Sequence, residues 1–549
     1  MTLLTILFIS TCLVAVSLQR SIPSDNSYVA AVLEYQRVGT TAGNLENYIN
    51  YTQQAAAKDA DIVVFPELML NVNDPVDVPM NSLLKEYPVP ALHENLYHTV
   101  LVSISKAARQ HQIYVVINIE ESMDCTAPIK ENCPEAKRYL FNTNVVFDRS
   151  GAVIDRYRKI HLFGEFTRTP ALTPDLGVFD TDFGVRFAHF ICFDLMFQVP
   201  AAQAVGKLRV TDIVFPTMWF SELPYLSAVQ IQEAYAFAHN VNFLGSGANN
   251  VRFGSAGSGI YSGRAGALAS TMPGLPTSTL LVARVPKIPG QVINAVPGPT
   301  YDNPKNLDNL PLLTDPSLLS HVTKKLVPGA QWFTLTDKDI KCTFKIDMSE
   351  ASAENGYKYR AAAFSGVRTF SGMATGGVRA CSVFACTGET LDTCGKRFPQ
   401  YETRTTAAFT ELNIIAVVTT PTLDPTVEAK DTVYYPVSLD TSIMPLKSED
   451  FTYSEDTNDN VTVYTMFLDN TNVELYSFSI WGRVFATDGL DADPPLEVTD
   501  ETSTIPAGTT TIVTDNTTTD DNENDSAFVH IVSKTLLLPV IIVIIFKFL

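Results

Sequence analysis

The chain is short of positive charge: 39 lysines and arginines stand against 59 aspartates and glutamates, leaving a net charge of -20 over 549 residues. That balance argues against nucleic acid or anionic lipid as a partner, because like charge repels both. Apolar runs are short as well. The one near the C-terminus, Thr535 to Phe546, spans 12 residues, whereas a membrane-crossing helix needs about 20. The Gly-rich loop from Gly254 to Tyr261 has neither the G-x-S-x-G spacing of a serine-hydrolase elbow nor the G-x-G-x-x-G of a dinucleotide fold. None of the eight cysteines is spaced C-x-x-C, which speaks against a zinc site. His93 and His98 resemble a zinc-protease pair, but on a helix five residues at about 100° each place them about 140° apart, so they cannot share an ion. No zinc site is expected.

What is present at the two ends is targeting sequence. Residues 1–17 carry an apolar core from Leu3 to Val16, with Ala15 and Ser17 placed for a signal-peptidase cut. At the other end a polar stretch and the small residues Asn524-Asp525-Ser526-Ala527 precede the apolar run from Thr535 to Phe546. That layout predicts a glycosylphosphatidylinositol (GPI) attachment signal over 527–549, with the anchor on Asn524, Asp525 or Ser526. The protein is therefore expected at the extracellular face of the plasma membrane, held to the outer leaflet. Sequons at Asn50, Asn460 and Asn516 agree with secretion.

Once Cys12 has left with the signal peptide, seven cysteines remain, an odd number in an oxidising compartment. Cys125 and Cys133 flank a loop they can close. Cys342, Cys381, Cys386 and Cys394 suffice for two bridges, which leaves Cys192 over.

Strands and helices alternate through residues 27 to 285, the pattern of an α/β domain with a parallel or mixed sheet. Its segments include strands at Ser27 to Tyr35, Asp61 to Phe65 and Gln112 to Ile119, and helices at Asn44 to Ala60, Leu96 to His111 and Leu223 to Asn240, the last read as amphipathic. From Pro286 onward helical periodicity fades and short strands recur, predicting a smaller β-rich domain over 291–493 stapled by the four clustered cysteines. Residues 494–526, full of Thr, Asp and Asn, read as a stalk.

By position alone Cys192, at the end of an apolar strand, is an ordinary core thiol. The odd cysteine count is one observation against that. Two more are Glu67 and Lys159, each of which also follows a strand in the same α/β domain. A carboxylate, an ammonium and a thiol at strand ends supply a base, a charge stabiliser and a nucleophile.

The blocks Phe65-Pro66-Glu67, Tyr157-Arg158-Lys159 with Leu162-Phe163 and Glu165, and Ile191-Cys192-Phe193-Asp194 resemble the Glu-Lys-Cys motifs of the nitrilase superfamily of carbon-nitrogen hydrolases. Val214-Phe215-Pro216-Thr217-Met218-Trp219 and Gly257-Ser258-Gly259-Ile260-Tyr261 are similar to its vanin and biotinidase branch. The resemblance implies a four-layer αββα sandwich over 18–290 followed by a base domain. It implies Cys192 as nucleophile, Glu67 as proton acceptor, Lys159 as proton donor and oxyanion stabiliser, Glu165 as a support that orients the lysine or the leaving group, and a reaction that needs no metal or organic cofactor. It further implies a small-molecule amide substrate: pantetheine, cleaved to pantothenate and cysteamine, with biotin amides as the rival. A reading of another class is a cell-surface adhesion or receptor protein that keeps the fold without turnover. The chain departs from the branch at Val199, where relatives usually carry an Asp before Pro-Ala.

Overall fold

Runs of β-branched and aromatic residues bounded by turns form the strands of the first half: β1 (Ser27–Glu34), β2 (Ile62–Val64), β3 (Tyr114–Asp124), β4 (Arg138–Phe147), β5 (Val153–Arg158), β6 (Val178–Asp180), β7 (Arg186–His189), β8 (Asp212–Thr217), β9 (Glu222–Leu223), β10 (Asn242–Gly247), β11 (Ser258–Ser262), β12 (Ala267–Thr271) and β13 (Thr279–Pro286). Between them lie the helices α1 (Thr41–Ala57), α2 (Leu83–Glu86), α3 (Thr99–His111), α4 (Gln203–Gly206) and α5 (Ala228–His239). The computed structural model describes residues 20–126, 133–292, 309–349, 356–398, 406–458 and 460–496. The predicted signal peptide, most of the predicted stalk, the Asn516 sequon and the predicted GPI signal with its candidate attachment residues lie outside them.

The first half holds two six-stranded sheets, ordered β13-β1-β2-β3-β4-β5 and β12-β11-β10-β8-β7-β6. Each has three parallel strands at its centre and antiparallel strands outside them. Apolar side chains fall into three layers. One, with Val32, Val64, Val116, Val214 and Leu244, lies between the sheets. A second joins the outer face of the first sheet to α1 and α3 through Leu45, Tyr48, Leu101 and Ile104. A third sits against α5. This is the αββα sandwich.

Helix α5 is buried on both faces, from Ala228 to Phe237, rather than amphipathic. Such a helix needs cover on each side, and the second half of the chain provides it. The helix starts at Ala228 and not at Leu223 because residues 222–226 close a tight turn. In it Glu222 N donates to Leu226 O at 3.1 Å and Leu226 N to Glu222 O at 2.8 Å.

The second half adds β14 (Leu313–Thr314), β15 (Val322–Lys325), β16 (Gly329–Asp337), β17 (Ile340–Met348), β18 (Lys358–Phe370), β19 (Ala374–Cys386), β20 (Phe409–Thr419), β21 (Leu423–Asp424), β22 (Ala429–Lys430), β23 (Thr432–Asp440), β24 (Phe451–Thr457), β25 (Val461–Leu468) and β26 (Leu475–Val484). Two five-stranded antiparallel sheets result, β15-β18-β19-β26-β23 and β16-β17-β20-β25-β24. The burial pattern tells them apart. β17, β20 and β25 alternate buried and exposed residues, as a sheet with one wet face must. β23 and β26 are buried along nearly their whole length, because their sheet lies between the outer sheet and α5. The Cys342–Cys381 disulfide ties β17 of the outer sheet to β19 of the inner one, and Cys386–Cys394 and Cys125–Cys133 close local loops. Among the described residues Cys192 is the free cysteine.

Candidate active site

Three loops leaving strands bring the predicted residues together. Glu67 follows β2 and Lys159 follows β5, both from the first sheet, while Cys192 follows β7 of the second. The two sheets thus meet at this point, with all three side chains at 4% exposure or less. Cys192 has φ +61°, in the left-handed region that L residues rarely occupy, and it opens a five-residue 3₁₀ turn, Cys192–Met196. The regular helix comes only later, so the turn after the strand is tighter than the sequence suggests.

The ammonium of Lys159 donates to Oε1 of Glu67 at 2.7 Å and to Oε1 of Glu165 at 2.8 Å. Glu165 therefore supports the lysine, and its Oε2 accepts from the N–H of Phe163 at 2.5 Å. Oε2 of Glu67 accepts from the backbone N–H of Met218 at 2.7 Å, and the carbonyl of that same Met218 lies 3.7 Å from the Cys192 sulfur. One residue after β8 thus spans base and thiol.

Burial pushes the Cys192 thiol well above its ordinary range, the Glu67 charge adds to this, and Lys159 opposes it. The thiol rests protonated. Burial also raises the Glu67 carboxyl against the pull of Lys159, which suits a group that must accept a proton near neutral pH. Lys159 stays charged: burial disfavours its ammonium, but the carboxylates of Glu165 and Glu67 outweigh that.

Several contributors were not read from the sequence. Asn142 on β4 donates to Oε1 of both Glu67 and Glu165 at 2.7 Å, and the Asn118 side chain on β3 donates to Oδ1 of Asn142 at 2.7 Å while its Oδ1 accepts from Leu68 N at 2.8 Å. Asp194, fully buried, accepts from the backbone N–H of His161 at 2.9 Å and from the hydroxyl of Tyr157 at 2.8 Å. It locks the Cys192 turn to the segment that carries Lys159. Burial lifts its carboxyl to about 7. The sequence signal for Asn142 was the N-T-N of residues 142–144, polar side chains at period two inside a strand otherwise built for a core.

The backbone carbonyl of Val199 accepts from Nε2 of His161 at 2.8 Å. The His93–His98 segment is not a helix. It forms short 3₁₀ turns, and His98 caps α3 through Nδ1, which accepts from Val100 N. Among the described residues no group of three or more His, Cys, Asp or Glu side chains is arranged to hold a metal. Asn50, on α1, and Asn460 are exposed.

A family model described as Carbon-nitrogen hydrolase matches residues 29–248, and one described as Vanin C-terminal domain matches residues 310–488. The chain is 32% identical over 522 residues to Vanin-like protein 1 of Drosophila melanogaster, covering 87% of this chain and 90% of that one. It is 29% identical over 396 residues to the biotinidase of Homo sapiens, covering 65% of this chain and 72% of that one. A branch 10 nitrilase-superfamily member from Saccharomyces cerevisiae superposes with a TM-score of 0.39 at 19% identity, over 50% of this chain and 94% of that one.

Proposed function

Since the chain belongs to the vanin and biotinidase branch of the carbon-nitrogen hydrolase superfamily, we propose that it hydrolyses linear amides through Cys192, and that its substrate is pantetheine. In the first half-reaction Glu67 takes the thiol proton as the sulfur attacks the carbonyl carbon. Lys159 offsets the charge that develops on the carbonyl oxygen, where a fixed cation in a dry site acts strongly. The C–N bond then breaks, the proton passes from Glu67 to the departing amine, and a thioester remains on the sulfur. In the second half-reaction Glu67 takes a proton from water, which adds to the thioester carbon. The C–S bond breaks, the sulfur regains the proton and the acid departs.

The observation that carries this reading is a protonated, unpaired thiol placed beside a buried carboxyl in a chain whose other described cysteines are bridged. Release of cysteamine from pantetheine, abolished in Cys192→Ala, is the expected result. Intact mass after acid quenching should show an acyl adduct on Cys192. Turnover of biotinyl amides in place of pantetheine would favour the biotinidase-like alternative. Silence on both, with retained ligand binding, would favour the non-catalytic surface protein.

We also place the protein outside the cell, GPI-anchored at Asn524, Asp525 or Ser526 and glycosylated at Asn50, Asn460 and Asn516. Three disulfides support an oxidising compartment. Release from intact cells by a phosphatidylinositol-specific phospholipase tests the anchor, and retention in the membrane after treatment would overturn it.

A further inference from the structure

A pocket opens above Cys192. Its walls are aromatic and thioether side chains, with Phe163, Phe193, Met196 and Trp219 on the hydrolase side. The β18–β19 turn of the second half closes it with Phe370 and Ser371. Among the described residues that line it, Glu222 is the one ionisable group besides Cys192.

Glu222 lies on β9 with 6% of its surface exposed. Its Oε1 accepts from Nη2 of Arg368, which reaches it from β18, and Nη1 of the same guanidinium donates to Oδ2 of Asp315 at 2.7 Å. Arg368 is itself 1% exposed and stacks 4.6 Å from the Phe370 ring centroid. Among the described residues no donor reaches Oε2 of Glu222. Glu222 is on the pocket wall, where a ligand's donor can reach this oxygen. One guanidinium between two carboxylates also leaves a negative charge uncompensated there.

The acyl group of an amide substrate stays bonded to the Cys192 sulfur after the amine leaves, so the pocket next to that sulfur is the acyl pocket. We propose that Glu222 determines specificity: its Oε2 accepts a hydrogen bond from a hydroxyl or N–H on the acyl part of an uncharged substrate, and its charge excludes anionic acyl groups. Arg368 and Asp315 are positioning residues that hold the carboxylate at the wall, so the β-rich half takes part in substrate choice. The naming of an acyl group rests on the amidase reading, but the selectivity of the pocket is measurable without turnover.

The test is calorimetric binding to the Cys192→Ala protein at pH 8, where the Glu222 carboxyl, raised by burial to about 7, is ionised. The probes are pantetheine, its analogue with both hydroxyls replaced by hydrogen, and an analogue ending in a carboxylate. Pantetheine should bind roughly 10- to 100-fold more tightly than either analogue, the range of one hydrogen bond to a charged group. Adding Glu222→Leu should shrink the preference over the deoxy analogue below about threefold. Adding Glu222→Gln, which keeps an acceptor and a partner for Arg368, should restore binding of the anionic analogue while the hydroxyl preference persists. If Glu222→Leu fails to fold, the Glu222→Gln protein decides alone. No discrimination among the probes in Cys192→Ala, or discrimination unchanged by either substitution, overturns the proposal. Selective binding to Cys192→Ala in a protein whose wild type cleaves no amide leaves Glu222 in place and removes the amidase reading instead.

Discussion

The side-chain amide of Asn142 lies 2.7 Å from Oε1 of Glu67 and donates to it. The same amide reaches Glu165 at 2.7 Å, so this neutral donor joins the Lys159 ammonium, which bridges the same two oxygens, in holding the two carboxylates together. Hydrogen bonds to charged groups contribute about 1.5–3 kcal/mol each. Asn142→Ala should therefore lower kcat by about 10- to 100-fold, with a smaller change in KM. Asn142→Asp should do worse, since it adds a third carboxylate. Steady-state kinetics beside a thermal melt check this, and an unchanged kcat in a folded Asn142→Ala protein would refute the role.

The protonation of Cys192 gives a second expectation. Because burial and the Glu67 charge both raise the thiol, iodoacetamide should alkylate it slowly at pH 7.5 and faster as pH rises. Glu67→Gln removes the adverse charge and should speed alkylation at fixed pH, while Lys159→Met should slow it. The rates can be read by mass spectrometry. The opposite order in the two variants would contradict the electrostatics described here.

Stability should fall as pH rises through neutrality. Burial lifts Asp194 to about 7, Glu233 to about 8, and Asp212 and Asp440 to about 6 in the folded protein. In the unfolded chain these carboxyls return to their ordinary range near 4. Between those limits these carboxyls bind more protons in the folded state than in the unfolded one; the buried His161, His239 and His321, which burial lowers to about 4, pull the other way only below about pH 6.5, so unfolding becomes easier as pH rises through neutrality. The melting temperature should be a few degrees higher at pH 5.5 than at pH 8. Asp194→Asn should flatten part of that slope. A melting temperature that climbs from pH 5.5 to pH 8 would exclude this assignment.

The Cys342–Cys381 bridge joins the two sheets of the β-rich half across 39 residues of chain. Replacing both cysteines with Ser should destabilise the protein by about 2–5 kcal/mol, measured by denaturant unfolding. The thiol count of the native protein should stay the same, because Cys192 remains the reactive one. A new alkylation site in the double variant would mean that the pairing is different.

The sequence on its own determined the alternation that builds the α/β half, the change to strands after Pro286, and the chemical identity of Glu67, Lys159 and Cys192. These are local properties: the period of apolar residues follows from backbone geometry, and a residue type is written in the chain. It also singled out Cys192 as the thiol left over, because an odd count in an oxidising compartment leaves one unpaired. Only the tertiary structure decided what depends on contacts between distant segments. The pairing of the four clustered cysteines, the burial of α5 on both faces, and the asparagine that unites Glu67 with Glu165 all belong to that group. So does the Arg368–Glu222 contact, which spans 146 residues. A hydrogen bond or ion pair acts over about 3 Å of space, and the separation of its partners along the chain carries no trace of that distance.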